Sequence, residues 1–175
     1  NTTSVEGMLY HNANDVISLV ALAIVLKQIL VENLEKYHEQ YFTLNLAKAK
    51  LHEKNKNTGM AISIYQQAIL QENTTSAVLI ECIESLSMIH KRAGEYEKAI
   101  HLWEKGAGLK DYFCILELAK FYEHKTRNFL QAIYWVEYGL SLLDNNNGLE
   151  MDFYRRDFNK RLIRLAKKGE KNEST

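Results

Sequence analysis

The chain has 175 residues, 46% of them hydrophobic, and its 22 Lys and Arg residues balance 22 Asp and Glu residues. This length allows one substantial core or a short repeat array, and the hydrophobic content excludes a wholly disordered chain. The balanced charge excludes attraction to nucleic acid or membrane through net charge alone. Proline is absent and glycines are few, which favours a mostly helical fold.

The first predicted helix begins at Asn12 or Asn14 and ends at Val31, with asparagine and aspartate near its start as N-cap residues. Its apolar run, 16–30, is shorter than the ~20 residues that cross a membrane. We therefore expect a buried helix and no membrane partner. Because apolar residues occupy almost every side of this helix, it needs cover on more than one side. The chain begins with Asn1, which predicts a preceding segment.

A helix–turn–helix pattern then recurs three times. It is clearest in residues 86–107, LSMIHKRAGEYEKAIHLWEKGA, where Ala99, Trp103 and Gly106 place a small–aromatic–small stripe on one side of the second helix. A tetratricopeptide-type repeat of roughly 34 residues cannot bury its apolar face alone and must stack on neighbours. The pattern predicts an all-α tetratricopeptide-like solenoid. Corresponding stripes are Ala61, Tyr65 and Ala68, and Phe129, Ala132, Val136 and Gly139.

Element boundaries follow from caps, turns and periodicity. Asp111 is the expected N-cap of the third hairpin, residues 123–128 its turn, and 144–148 a loop. The two cysteines, Cys82 and Cys114, lack metal-site spacing and are expected to be buried free thiols in a reducing cytoplasm; the sequence leaves open whether they approach each other. Further predicted helices cover residues 34–53, 59–70, 77–92 and 149–168.

The segment VEGMLYHNANDVISLVAL, residues 5–22, resembles the end of the nuclease domain of YprB-type proteins, bacterial ribonuclease-H-like exonucleases of the DEDD superfamily. The last motif of that domain is a His, an Asn, two variable residues and an Asp that opens a hydrophobic helix, here His11 to Asp15. LAKFYEHKTRNFLQAIYWVEYGL, residues 118–140, resembles the C-terminal helical-repeat region of the same proteins.

This resemblance implies roles for two residues. Asp15 corresponds to the fourth acidic ligand of the catalytic divalent metals, Mg or Mn, and His11 to the residue that orients or deprotonates the attacking water. His11 lies four residues before Asp15, whereas the His subclass of the superfamily spaces them by five, so Tyr10 is a second candidate. One ligand does not make a two-metal centre. We therefore expect this chain to be non-catalytic and to need no cofactor itself.

The resemblance also implies an organisation and a parent activity. Residues 1–31 would be the remnant of the nuclease domain, 32–148 three hairpins, 149–168 a basic capping helix and 169–175 a disordered tail. The parent would be a cytoplasmic, metal-dependent 3′–5′ DNA exonuclease of bacterial DNA repair, with a helicase as a candidate partner. In the alternative interpretation, the chain is a stand-alone adaptor for protein–protein interaction and Asp15 merely caps a helix.

Two surfaces are candidates for binding. The first helices of the repeats would line a groove whose mixture of charged and apolar residues suits a protein partner. This groove shows no basic clamp for an acidic C-terminal peptide. The terminal helix is basic and could contact DNA phosphates, or could simply be a solvated outer face. The groove residues are Glu81, Glu84, Met88, Lys91, Arg92, Phe113, Leu116, Lys120, Glu123 and His124. The basic residues are Arg155, Arg156, Lys160, Arg161, Arg164, Lys167 and Lys168.

Overall fold

The computed structural model describes residues 15–16, 19–20, 22–24, 38–71, 74–143 and 149–173. Within these residues the regular structure is helical and no strand occurs, which confirms the all-α class. Helices are numbered here in chain order. They are α1 His38–Lys54, α2 Thr58–Leu70, α3 Ser76–Arg92, α4 Tyr96–Gly108, α5 Tyr112–Phe121, α6 Phe129–Leu143 and α7 Leu149–Glu173.

The chain forms two compact units, Asn1–Ile64 and Tyr65–Thr175, with the boundary inside α2. In the first unit, the described residues between positions 15 and 24 are helical, and the large apolar side chains among them are more than half exposed. The sequence had predicted cover on more than one side here. The ends of the predicted helix 12–31 and His11 lie outside the described residues.

In the second unit, α3 and α4 pack against each other as a hairpin. The side chain of Thr75 caps α3 by accepting a hydrogen bond from a backbone amide in the first turn. The connection to α4 passes through Gly94 at a φ of 78°, a left-handed conformation that glycine adopts without steric cost. The predicted stripe of Ala99, Trp103 and Gly106 is buried. This hairpin therefore has the core that the sequence predicted.

The next hairpin pairs α5 with α6. Asp111 caps α5, accepting a hydrogen bond of 2.8 Å from the Cys114 amide, as predicted. The connection differs from the predicted loop over 123–128, because α5 continues into a π-helical turn, Tyr122–Thr126. Arg127 then reverses the chain in a left-handed conformation, with a φ of 56°. A π-turn inserts one extra residue per turn, and here it contains the buried side chain of Glu123.

The last helix, α7, packs along α6. Phe158 and Leu165 of α7 have no exposed surface. Phe158 lies so close to Gly139 that a methyl group at position 139 would sit 2.5 Å from the ring Cζ. Helix α7 ends at Glu173, so the tail predicted to be disordered from residue 169 is helical up to that residue. The predicted loop 144–148 is outside the described residues.

Candidate binding site on α3 and α5

The predicted groove residues come mainly from α3 and α5. Spacings of three, four and seven residues place the α3 members on one side of their helix, and the same holds for Phe113 and Lys120 in α5. We name this surface the α3/α5 face. Arg92 and His124 at its margin are exposed. The face is defined by six half-buried residues: Glu81, Glu84, Met88, Lys91, Phe113 and Lys120.

Two predicted groove residues do not belong to this face. Leu116 is only 4% exposed and Glu123 only 2%. Leu116 lies in the stretch of α5 from Cys114 to Ala119, in which every residue is buried. Glu123 lies in the π-turn that follows and pairs with Arg161 of α7. A residue so enclosed cannot contact a ligand while the fold is intact.

A buried carboxylate links α3 to α5 below the face. Glu117 accepts hydrogen bonds from the ammonium groups of Lys91 and Lys120, the latter at 2.8 Å. The side chain of Glu117 is 4% exposed, whereas Lys91 and Lys120 are 32% and 35% exposed. Burial would raise the pKa of Glu117, but the bonds from Lys120 and Lys91 outweigh it and hold the pKa below its usual value. Glu117 is therefore ionised at neutral pH and fixes two cations at the surface.

Beside this ion cluster lies a cavity of about 170 Å³. Lys125 Nζ lies 4.8 Å from the ring centroid of Tyr96, which favours the cation and holds it at the cavity wall. Lys91 Nζ lies 6.0 Å from the ring centroid of Trp103. We call this cavity the cationic pocket. Its lining is Lys91, Tyr96, Trp103, Glu117, Lys120, Phe121, His124 and Lys125.

His124 contributes a neutral group to the cationic pocket. Burial lowers the pKa of His124, nearby Glu123 opposes this, and the cations of α7 lower the pKa further. The imidazole is therefore largely uncharged at neutral pH. The positive charge of the pocket comes from Lys91, Lys120 and Lys125, of which Lys91 and Lys120 were among the predicted groove residues.

Several cations of the basic helix α7 form hydrogen bonds within the protein, to the carboxylate of Glu123. Glu123 Oε2 accepts hydrogen bonds of 2.6 Å from Arg161 and 2.7 Å from Arg164, and Oε1 accepts one of 2.8 Å from Lys168. Burial would raise the pKa of Glu123, but hydrogen bonds from these three residues outweigh it and lower the pKa to about 2. Arg161, one of the predicted nucleic-acid contacts, is only 6% exposed. Arg164 and Lys168 are partly exposed but share this carboxylate.

The other predicted DNA contacts on α7 fall into two groups. Arg155 donates a hydrogen bond of 2.6 Å to the Leu143 carbonyl and lies 3.7 Å from a carboxylate oxygen of Asp152. Arg156, Lys160 and Lys167 are exposed, and none of them forms an ion pair with another described residue. Three of the seven predicted cations therefore face solvent without a described acidic partner.

A larger open groove, of about 560 Å³, lies among the end of α2, α3 and α4. Its lining includes the apolar side chains of Ile69, Leu86 and Leu102. His90, which also lines it, has its Nδ1 at 2.5 Å from Glu95 Oε2, and this contact lowers the pKa of Glu95. Glu97 and Lys98 line the groove as well, so it presents apolar side chains together with charges of both signs.

The described residues do not complete the metal site that the resemblance implies. Asp15 is helical and exposed, and His11 is outside the described part of the chain. Among the described residues no three His, Cys, Asp or Glu side chains gather as a metal site would require. A two-metal centre needs several such ligands, so these residues do not fit one. Nor does any described helix have the length and apolarity to span a membrane.

The chain is similar to a protein of Bacillus subtilis (strain 168) named "Uncharacterized protein YprB". The two are 35% identical over 144 residues, which cover 78% of this chain and 33% of that protein. YprB is a homologue. The chain thus spans about a third of the length of this relative. No family model matches the chain, and no solved structure matches it.

Several residues of the cationic pocket were absent from the sequence prediction. Glu117, Phe121, Lys125 and Tyr96 were not predicted as site residues. A partial signal existed, because Glu117 and Lys120 are three residues apart and so lie on the same side of a helix. Nothing in the local sequence shows that Lys91 reaches Glu117 from another helix.

Proposed function

We propose that this chain is a non-catalytic, tetratricopeptide-like module that binds a protein partner through the α3/α5 face. Two observations support the repeat arrangement: each of two consecutive hairpins buries a stripe of small and apolar residues, and α4 packs against α5 to join them. The terminal helix would then close the open end of the array. The sequence predicts a further hairpin and an N-terminal helix before these two hairpins in the chain.

The observation that carries this proposal is a difference between the two basic surfaces in how far their cations are paired with Glu123 or left exposed. On α7, Glu123 engages three of the cations that were candidates for DNA contact. On the α3/α5 face, Lys91 and Lys120 remain about one-third exposed beside half-buried Met88 and Phe113. A mixture of apolar and charged side chains that are only partly covered suits a protein interface.

Photo-crosslinking from the face tests this proposal. A benzophenone amino acid at position 88 would replace Met88, and a matched probe would replace Tyr134, an exposed residue of α6. In the cells that make the protein, we expect a discrete protein adduct from position 88 and none from position 134. Equal labelling from both positions, or no adduct from either, would contradict the assignment of the face.

We further propose that the module positions the partner or substrate for an attached nuclease. This nuclease would be a metal-dependent 3′–5′ DNA exonuclease that acts in the cytoplasm in bacterial DNA repair. Support comes from the motif that ends at Asp15 and from a homologue about three times longer than the matched region. Purified full-length YprB should shorten 3′-ended DNA only with Mg²⁺ or Mn²⁺. Loss of this activity in an Asp-to-Asn variant of the matching motif would support the link. An inactive full-length protein would favour the stand-alone adaptor.

A further inference from the structure

We infer that the cationic pocket binds a carboxylate side chain of the partner, so that the ligand of the α3/α5 face is an acidic peptide with apolar flanking residues. This inference rests on the proposed function and specifies the chemistry of the ligand. Its basis is the charge, the geometry and the size of the cationic pocket, together with the neighbouring side chains.

The charge of the pocket is not balanced internally. Lys91, Lys120 and Lys125 contribute three positive charges, and Glu117 contributes one negative charge. The pocket therefore retains a net charge of +2 when His124 is neutral (3 − 1 = 2). Within the described part of the chain, no carboxylate pairs with Lys125, whose ammonium group lies over the ring of Tyr96. A ligand carboxylate would supply the missing negative charge.

The cations are arranged so that donors remain for a ligand. An ammonium group has three N–H donors, and Lys91 and Lys120 each form one hydrogen bond to Glu117. Because Glu117 is buried and the two lysines are partly exposed, the acid lies below the ammonium groups. Glu117 thus holds the two lysines in place while their other donors point away from it.

Size and surroundings favour a peptide over nucleic acid. A volume of about 170 Å³ is below the ~300–1,000 Å³ of pockets that enclose whole small molecules, which suits one side chain. Half-buried Met88 and Phe113 offer apolar contacts on the same face.

Fluorescence anisotropy with the whole chain tests this inference. The probe is a labelled decapeptide that alternates aspartate and leucine, and the control alternates asparagine and leucine. We expect the acidic peptide to bind at least about tenfold more tightly, with an affinity that falls as salt rises. Comparable affinities for both peptides would overturn the inference.

Charge variants locate the binding. Lys125→Gln leaves the Glu117 cluster intact and should weaken the acidic peptide about tenfold, while Lys98→Gln, an exposed lysine of α4, should not. The triple variant K91Q/E117Q/K120Q removes both cations together with their buried acid and should weaken binding at least as much. Circular dichroism confirms that each variant is folded. Full binding by folded Lys125→Gln and triple variants would overturn the inference.

A third measurement compares DNA with the acidic peptide as a ligand of the pocket. Together with the crosslinking result, it shows whether this inference or the proposed function has failed. If a labelled oligothymidylate binds more tightly than the acidic peptide and is weakened by Lys125→Gln, the pocket takes phosphate and the inference is overturned. Specific crosslinking from position 88 without a preference for the acidic peptide overturns the ligand class and leaves the proposed function standing. An acidic-peptide preference that depends on Lys125, without that crosslink, supports the pocket chemistry and counts against the proposed function.

Discussion

Glu123 and Arg161 are joined by a hydrogen bond of 2.6 Å between two side chains that are almost completely buried. The bond ties the π-turn after α5 to α7, 38 residues further along the chain. Arg164 and Lys168 complete the contact from the next turns of α7. The cluster therefore fixes the terminal helix and also neutralises part of its positive charge.

Replacing Glu123 with glutamine should destabilise the fold. The amide keeps the shape of the side chain but leaves buried Arg161 with Asp157, at 3.5 Å, as its remaining described acidic partner and places three cations close together. We expect a loss of about 3 kcal/mol in the free energy of unfolding, measured by urea denaturation. Glu137→Gln, on an exposed position of α6, is the matched control and should change stability little. An equal effect of both substitutions would show that the cluster has no special importance.

Acid should weaken the folded state through the same residue. The pKa of Glu123 is about 2 in the fold, against an ordinary value of 4.5. The stabilisation is present above pH ~4.5 and is lost as the pH falls towards ~2, because the unfolded chain then binds the extra proton. Glu117, with its lowered pKa, acts in the same direction. Urea midpoints between pH 7 and pH 3 should therefore decline in the natural chain, and less steeply in Glu123→Gln.

Gly139 should tolerate no side chain while Phe158 is opposite. Gly→Ala within a helix normally adds up to ~1 kcal/mol of stability. Here the added methyl group would lie 2.5 Å from the Phe158 ring, so we expect Gly139→Ala to cost about 1–3 kcal/mol. Gly59→Ala, where no atom lies within 4 Å of the added carbon, is the control and should be neutral or stabilising. Phe158→Leu in the Gly139→Ala background should recover part of the loss.

Ser87 and Trp103 share a buried hydrogen bond of 2.9 Å from Nε1 to Oγ. Removing the hydroxyl with Ser87→Ala leaves a buried indole N–H without its acceptor, which should cost about 1–3 kcal/mol. Ser141→Ala, at an exposed site of α6, should cost much less. Thermal denaturation compares the two, and equal stability of both variants would mean that the indole finds another acceptor.

Features encoded by nearby residues could be predicted from the sequence. The Asp111 cap and the buried stripe of α4 each depend on spacing within one or two helical turns. Glu123 could not be placed, because an acid in a turn is usually solvated and its three partners lie 38, 41 and 45 residues away. One sign was present: Arg161, Arg164 and Lys168 recur on one side of α7, which also buries Leu165.

The candidate site, too, could be predicted from the sequence only where it depends on nearby residues. The exposed side of α3 could be predicted from helical periodicity, since Glu81, Glu84 and Lys91 follow one face. The cationic pocket could not, because Lys91 meets Glu117 from a separate helix 26 residues away. Lys125 joins them only because α5 continues into a π-turn. Tertiary packing, and not local pattern, brings these charges together.

The most direct test of the account is the salt dependence of DNA binding by the chain. Each phosphate neutralised on single-stranded DNA contributes about −0.7 to the slope of log affinity against log salt. With Arg156, Lys160 and Lys167 as the solvent-facing cations of α7, we predict weak binding with a slope no steeper than about −2. The R156Q/K160Q/K167Q variant should remove this binding and leave acidic-peptide binding unchanged. A slope near −5, as seven engaged cations would give, would contradict the account and make α7 the working surface.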